Sequence, residues 1–338
     1  MNEIKDLYMN TIIEKINAYN YKINNLDIER GKIGMCFSLF QLSQLQDEHK
    51  YQKMAEKILD DILFELCNKS VMRTAYELTQ IGIGINYLIK QKYVRGSINS
   101  ILNDIDSLIF KKLVFNKEPI SYRIFIPTLY YFCNRVEEQK TENDMRFMLE
   151  EICIKLFNDL YCSFDPDFFD EPLFYNIMEY KLPQFLYTAS KLFSLQFYNY
   201  RVIEVLKEIS GLILSGIPTL HSNRLYLLWS LSQLKKATGL DIWDEQINIL
   251  INYTNYQKII YKELRNRDMF IRNGVAGIYL LLNALENTEY SLPFDNTLFR
   301  KRIEESDIWN DEQSFENLGL INGFSGLLWV YTLITNER

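Results

Sequence analysis

The amino-acid sequence predicts an all-α protein built from repeated helix pairs. The first observation is a motif that occurs three times, Gly31-x-x-Gly34, Gly274-x-x-Gly277 and Gly323-x-x-Gly326, each time leading into an apolar run. A motif that returns at long intervals is typical of a repeat architecture. The second observation is the weakness of strand signals, since the sequence lacks alternating apolar runs bounded by Asn-Gly or Asp-Gly turns.

Weaker copies of the motif fill the sequence between the three strong ones. From Gly34 to Gly326 the pattern can be followed at a spacing of about 49 residues. Each copy opens a mostly apolar segment, and we expect it to mark the start of an inner helix. The seven landmarks are Gly34, Gly82, Pro127, Leu182, His221, Gly277 and Gly326.

An amphipathic segment separates successive landmarks. In segment 51–66 apolar residues recur every fourth position from Met54 to Leu66, which predicts one apolar helical face. Segments 98–110 and 145–160 have the same pattern. Because the landmark segments are apolar nearly all round, we expect them to form an inner layer with the amphipathic helices outside.

The composition is that of a soluble globular protein, with 48% hydrophobic and 24% charged residues among 338. No linker or low-complexity stretch divides the chain, so we predict a single domain over residues 1–338. No segment approaches the roughly 18 apolar residues of a membrane span, and the first residues lack the layout of a secretory signal. We therefore expect a cytoplasmic protein. A net charge of −7 disfavours nucleic acid as a partner.

The cysteines are scattered and form no Cys-x-x-Cys pair. An odd number of scattered cysteines argues against a disulfide framework and against a zinc ribbon. Apolar residues flank each of them, so we expect buried, unreactive thiols. They are Cys36, Cys67, Cys133, Cys153 and Cys162.

Helix pairs with Gly-x-x-Gly at the inner helix starts resemble the lanthionine synthetase C family, the LanC-like proteins. The best-matching segments are 31–42, 79–89, 273–285 and 320–332. The resemblance implies a double-layered α/α toroid. It also implies a chemistry, because cyclase members of the family use zinc to activate a peptide cysteine thiolate. The thiolate adds to a dehydrated Ser or Thr and closes a thioether ring.

The positions of the family's zinc ligands carry other residues in this chain. The cyclases have Cys-His-Gly-x-x-Gly in the sixth repeat, whereas Arg272 and Asn273 precede Gly274 here. The resemblance places Thr219 at or near the cysteine of the fifth repeat and Tyr180 at the catalytic histidine of the fourth. Arginine stays protonated and ligates no metal. We therefore predict no bound metal and no cofactor, and the catalytic residues stay unassigned.

Six residues are candidates for contacting a peptide or lining a cavity. The guanidinium of Arg272 suits a carboxylate, a phosphate or a backbone carbonyl. His221 begins an inner helix, and a helix-start or core role is the alternative for it. Asn273 and Asn322 precede motif glycines, where asparagine is also a favoured helix N-cap. The six are Arg272, Asn273, Tyr180, His221, Thr219 and Asn322.

Segment 163–172 alternates acidic and aromatic residues and contains two prolines. This composition predicts a solvated loop without helix. Its carboxylates lack the spacing of an EF-hand calcium loop. Such an acidic loop suits contact with a basic leader peptide.

Three functions are open. The first is a zinc-less LanC-like pseudoenzyme of lanthipeptide-type maturation that binds a precursor peptide, with a dehydratase as a further partner. The second is an active thioether-forming cyclase in which Arg272 or His221 orients the thiol. The third is an α/α-toroid carbohydrate-active enzyme, which requires paired carboxylates at inner helix starts. Glu179 is the one carboxylate residue at the landmarks, so the third is the weakest.

Overall fold

In a computed structural model of the protein, the described residues are 2–46, 49–67, 73–115 and 121–336. This part of the chain contains sixteen α-helices and no β-strand, which confirms the all-α prediction. None of these helices is both long and apolar enough to span a membrane. The helices are α1 (Asn2–Tyr19), α2 (Lys32–Gln46), α3 (His49–Cys67), α4 (Ala75–Lys90), α5 (Ile98–Phe115), α6 (Tyr122–Glu138), α7 (Asp144–Cys162), α8 (Pro166–Phe169), α9 (Lys181–Ser194), α10 (Asn199–Leu214), α11 (His221–Thr238), α12 (Asp244–Tyr253), α13 (Tyr256–Lys258), α14 (Val275–Leu285), α15 (Asn296–Glu304) and α16 (Phe324–Asn336).

All seven landmarks lie in helices, although two do not mark a helix start. Gly82 lies in the middle of α4, which begins at Ala75. There the side chain of Thr74 accepts a hydrogen bond from the backbone N–H of Glu77, the arrangement of an N-terminal cap. Pro127 likewise lies inside α6. The predicted starts of these two helices are therefore wrong: α4 begins at the cap of Thr74, and α6 begins at Tyr122, five residues before Pro127.

The amphipathic segments form helices as predicted: 51–66 lies in α3, 98–110 in α5 and 145–160 in α7. Segment 163–172 contains the short helix α8, so the prediction of a loop without helix is wrong. A proline at the first position of a helix costs no hydrogen bond, since that N–H has no partner within the helix.

By its contacts the chain divides into two compact units, and the single-domain organisation stays a prediction. The first unit comprises 1–112, 264–280 and 294–338. In it the apolar helix α2 packs against α3, α4 and α16, and α16 also packs against α1 and α15. Landmark helices thus contact one another, and amphipathic helices cover them.

The second unit comprises 113–263 and 281–293. Its landmark helix α9 packs against α6 and α11, which are landmark helices themselves. Each is covered by an amphipathic partner, α7 on α6, α10 on α9 and α12 on α11. The two-layer packing predicted from the apolar periodicity is therefore present within each unit.

The first glycine of each strong motif touches backbone six residues before it. A Cβ added at Gly31 would lie 2.5 Å from the carbonyl oxygen of Asn25. A Cβ added at Gly323 would lie 2.5 Å from the carbonyl oxygen of Asn317, and a Cβ added at Gly274 would overlap the carbonyl group of Asp268. In each case the residue after the glycine donates its backbone N–H to that same carbonyl (Asn25, Asp268 or Asn317). One loop geometry is therefore used three times, and it requires glycine for space.

The second glycines meet a different neighbour. A Cβ at Gly34 would lie 2.5 Å from the backbone nitrogen of Leu320 and 2.6 Å from the oxygen of Ile28, and one at Gly326 would overlap the oxygen of Leu320. The segment around Leu320 thus runs directly against the starts of α2 and α16. Real Cβ atoms do not approach backbone this closely, so side chains at these positions would force the loops apart.

We expect Gly34→Ala to lower the free energy of unfolding by about 3 kcal/mol or more, because the methyl group would overlap two backbone segments. Gly211→Ala is the matched control, since nothing lies within 4 Å of a Cβ built there, inside α10. Its expected effect is a gain of about 0.5–1 kcal/mol from helix propensity. Urea unfolding followed by circular dichroism measures both, and equal stability of the two variants would contradict the crowding.

Candidate functional site

The loops before α2, α14 and α16 are joined through their backbones in the first unit. Leu320 donates its N–H to the carbonyl of Ile28 at 3.2 Å, and Asn322 donates to the carbonyl of Glu29 at 3.1 Å. Arg272 donates its N–H to the carbonyl of Ile321 at 2.8 Å. The residues that precede the three strong motifs are therefore brought to one place.

The side chain of Arg272 pairs with a buried carboxylate there. Its Nη1 lies 3.4 Å from Oε1 of Glu29, whose side chain is 3% exposed. The hydroxyl of Tyr76 donates to the other carboxylate oxygen at 2.7 Å. Nε of Arg30 lies 3.5 Å from Oε1. Buried carboxylates need such partners, so Glu29 organises a charged cluster at the helix starts.

Sequence reasoning missed Glu29, although a signal was present. Glu29 stands two residues before Gly31, and Arg272 stands two residues before Gly274. When loops of the same geometry meet, residues at equivalent positions in them come close together. A negative charge at this position in the first repeat and a positive charge in the sixth would therefore have indicated the ion pair between Glu29 and Arg272.

The two asparagines do not cap helices. The helices α14 and α16 begin one residue after the motif glycines Gly274 and Gly323. The glycines therefore occupy the cap positions, and the N-cap prediction for Asn273 and Asn322 is wrong. Asn322 instead contributes its backbone N–H to the loop junction, and both residues are half-buried.

The other sequence-predicted candidates lie in the second unit, around the start of α11. Glu263 is the last residue of a π-helical turn, Ile259–Glu263. Its carboxylate caps the N-terminus of α11. It accepts the N–H of His221 at 2.7 Å, the N–H of Ser222 at 3.0 Å and the hydroxyl of Ser222 at 2.7 Å. A carboxylate at a helix N-terminus satisfies otherwise unpaired donors and the helix dipole together.

The imidazole of His221 is held by the backbone. Nδ1 lies 2.9 Å from the carbonyl oxygen of Tyr253 and 3.4 Å from Nη1 of Arg224, which itself donates a hydrogen bond to that carbonyl at 2.8 Å. Partial burial and the positive charge of Arg224 lower the pKa of His221. Both causes disfavour the charged ring, so His221 is neutral at physiological pH.

A second carboxylate binds Thr219, which the resemblance places at or near the cysteine of the fifth repeat. Oε1 of Glu171 accepts the backbone N–H of Thr219 at 2.5 Å, and Oε2 accepts the side-chain amide of Asn223 at 2.8 Å. Tyr180 is buried nearby, and burial together with the charge of Glu171 raises its pKa. Tyr180, Thr219 and His221 therefore lie around one helix start, with Glu171 between the first two.

Asn223 carries an unusual polar atom at the base of this cluster. Its side chain is fully buried, and Oδ1 has no hydrogen-bond partner among the described residues. The hydroxyl of the buried Tyr175 is in the same situation. Buried polar atoms without partners are rare in folded proteins.

None of the three residues that the resemblance places at zinc ligands offers a side chain that zinc prefers. The guanidinium of Arg272 is paired with Glu29, Asn273 offers an amide, and Thr219 is bound through its backbone. Zinc in proteins takes thiolate, imidazole or carboxylate ligands. Within the described ranges no three His, Cys, Asp or Glu side chains are grouped to hold a metal ion.

The cysteines follow the sequence prediction in part. Cys36, Cys133 and Cys153 are buried, whereas Cys162 is exposed, so the prediction is wrong there. The side chain of Cys67 lies outside the described residues. Burial raises the pKa of Cys36 and of Cys153, which keeps both as thiols at neutral pH.

The helix pairs and their two-layer packing within each unit define an all-α protein. Among solved structures the chain is similar to nisin cyclase, with a TM-score of 0.68 and 14% identity over 100% of this chain and 95% of that one. This likeness confirms the predicted fold class.

A second similar structure is an inactive variant of the alpha-1,6-mannanase of Salegentibacter sp. HEL1_6 in complex with alpha-1,6-mannotriose. Its TM-score is 0.46, with 13% identity over 97% of this chain and 100% of that one. No protein-family profile and no curated protein match the sequence.

We expect the pairing of Arg272 with Glu29 to be visible as coupling between variants. Glu29→Gln alone should cost about 3 kcal/mol of unfolding free energy, because it leaves a largely buried guanidinium without its carboxylate. Arg272→Met alone should cost a similar amount. The double variant should cost less than the sum, by at least about 1 kcal/mol. Additive losses in urea unfolding would refute the pair.

The lowered pKa of His221 predicts a dependence of stability on pH. As the pH falls below about 6.5, the unfolded chain binds a proton at this residue more readily than the folded chain does. The folded state therefore loses stability on acidification from about pH 7 to about pH 5. His221→Asn should reduce that loss in urea unfolding, with His49→Asn as the control exchange. An unchanged pH dependence in His221→Asn would show that the lowered pKa is absent.

Proposed function

We propose that the chain is a LanC-like protein of ribosomal peptide maturation that binds a precursor peptide and carries out no zinc chemistry. The nisin cyclase fold over the whole chain supports a peptide as the partner. The donor set at the ligand positions supports the absence of zinc. A dehydratase acting on the same peptide would be the second partner, in the cytoplasm.

The pairing of Arg272 with Glu29 carries this proposal. A guanidinium brings a permanent positive charge to the position where the resemblance places a thiolate, and that charge repels a divalent cation. The side chain of Arg272 is 19% exposed, so part of it reaches solvent while Glu29 fixes its direction. A fixed guanidinium can donate two parallel hydrogen bonds to a peptide carboxylate or carbonyl. Together with Asn273 and Asn322 it forms the peptide-contact candidates of the first unit.

A second candidate function is a cyclase that works without metal. One observation favours it: the lowered pKa leaves His221 neutral, and a neutral imidazole has one ring nitrogen that can take a proton from a thiol. Tyr180 and Thr219 lie around the same helix start. In this alternative His221 generates the thiolate, a role that zinc has in the family.

The two functions are distinguished by the number of free thiols that remain on a peptide, because a cyclase consumes a cysteine thiol and a binding protein does not. The probe is a synthetic peptide containing one dehydroalanine and one cysteine, incubated with the full chain and then alkylated. Peptide binding without loss of alkylatable thiol supports the accessory function. Loss of thiol that disappears in His221→Ala supports the cyclase.

We expect the purified chain to hold far less than one zinc ion per molecule after incubation with zinc and removal of the excess. The physical reason is that arginine, asparagine and threonine stand at the three positions where the resemblance places zinc ligands, and none of them supplies a thiolate, imidazole or carboxylate. Plasma emission spectrometry of the full chain measures the metal directly. One zinc per chain would overturn the zinc-less proposal, whatever the peptide experiments give.

A further inference from the structure

Two stretches of the second unit expose large apolar side chains. Leu173 is 87% exposed and Phe174 is 68% exposed. Ile217, in the loop before α11, is 46% exposed. We call these three residues the apolar platform. Clustered apolar side chains on a surface mark interaction sites more often than isolated ones do.

The chain is anchored on the N-terminal side of Leu173. Phe168 is fully buried, with its ring centroid 4.0 Å from that of Phe164 and 5.8 Å from that of Phe185. The carbonyl of Pro172 accepts a hydrogen bond from the side chain of Asn223 at 3.1 Å. The residue before the platform is therefore held against α11.

Anchors follow on the C-terminal side as well. Tyr175, directly after Phe174, is buried. The side chain of Gln184 donates to the carbonyl of Ile177 at 2.7 Å and to that of Tyr180 at 3.1 Å. A short segment fixed at both ends presents Leu173 and Phe174 outward as a defined surface.

Glu171 joins the two stretches of the platform. It stands two residues before Leu173, and it accepts the backbone N–H of Thr219, which stands two residues after Ile217. That hydrogen bond fixes the loop of Ile217 next to the segment of Leu173. The three apolar side chains therefore belong to one surface region.

The segment that carries Leu173 and Phe174 is acidic, whereas the loop of Ile217 is bound by the guanidinium of Arg224, which donates to the carbonyls of Pro218 and Thr219. Residues 163–180 contain five carboxylate side chains and no lysine or arginine. Carboxylates around an apolar centre favour a partner with basic residues around an apolar face, both in rate and in choice of partner. The five are Asp165, Asp167, Asp170, Glu171 and Glu179.

We propose that the apolar platform binds a basic amphipathic segment of a peptide, with aliphatic or aromatic side chains on Leu173, Phe174 and Ile217 and lysine or arginine facing the carboxylates. This inference rests on the proposed peptide-binding function and assigns the partner's chemistry. An anionic lipid surface is disfavoured, because the same carboxylates repel it.

The experiment uses the full chain and fluorescently labelled synthetic peptides of about 20 residues. One peptide is helical, with leucine on one face and lysine on the other. A second replaces every lysine by glutamate, and a third replaces every leucine by serine. Fluorescence anisotropy gives the affinity of each at low and at moderate salt.

The chain offers a matched control for the platform. Leu63 and Phe64 form a second exposed Leu-Phe pair, 40% and 79% exposed, on the outer helix α3. The double variant Leu173→Ser with Phe174→Ser is compared with Leu63→Ser with Phe64→Ser. Circular dichroism and urea unfolding establish that both variants fold.

We expect the leucine–lysine peptide to bind at least about tenfold more tightly than either of the others, and the affinity to fall as salt rises. The Leu173 and Phe174 double variant should weaken binding about tenfold or more, and the Leu63 and Phe64 variant should leave it unchanged. A third variant, Asp167→Asn with Asp170→Asn, should weaken binding and its salt dependence without removing apolar surface.

Equal binding of all three peptides, or equal effects of the two Leu-Phe variants, would overturn the platform. Binding to vesicles of phosphatidylcholine and phosphatidylglycerol in place of the peptide would overturn it too. The proposed function is tested by other measurements, namely the zinc content of the chain and the number of free thiols left on the peptide. A platform variant that loses the basic peptide while zinc binds stoichiometrically would thus keep this inference and reject the other.

Discussion

Close backbone approach at the glycine motifs is the constraint on which the first unit depends. In three loops of the same geometry, a carbonyl lies where a Cβ would be, and the next residue's N–H bonds to that carbonyl. The second glycines then let the segment around Leu320 lie against the starts of α2 and α16. None of these glycines needs a positive φ, since Gly239 is the one described glycine that has it. Space, and not conformational freedom, explains the motif.

The charged residues depend on that crowding. Glu29 and Arg272 meet because the loops that carry them are bonded backbone to backbone through Ile321 and Asn322. In the second unit carboxylates do comparable work at α11, where Glu263 caps the helix and Glu171 holds Thr219. In both units a carboxylate from a distant part of the sequence binds a residue that the family resemblance places at a zinc ligand.

The fold was more accessible from sequence than the site. Apolar periodicity and repeated glycines predicted seven inner helices and three of the outer ones, because both signals are local. The helix starts at Ala75 and Tyr122 were missed, because the glycine signal is lost or displaced in those repeats. Glu29 acts on a residue 243 positions away, Glu171 on one 48 away and Glu263 on one 42 away. A pattern within one repeat does not report such pairs.

The same long separations bear on how the chain folds during synthesis. The hydrogen bond from Leu320 to Ile28 closes nearly the whole described sequence, so the start of α2 cannot gain its neighbour until residues near 320 have left the ribosome. Contacts between residues so far apart form slowly, because the loop they close is long. Met35 and Leu39 of α2 are fully buried once folding is complete, and the helices α3 and α4, which pack against α2, are synthesised directly after it. The packing of α2 on these helices can therefore form early, whereas the glycine junction is among the last contacts to form.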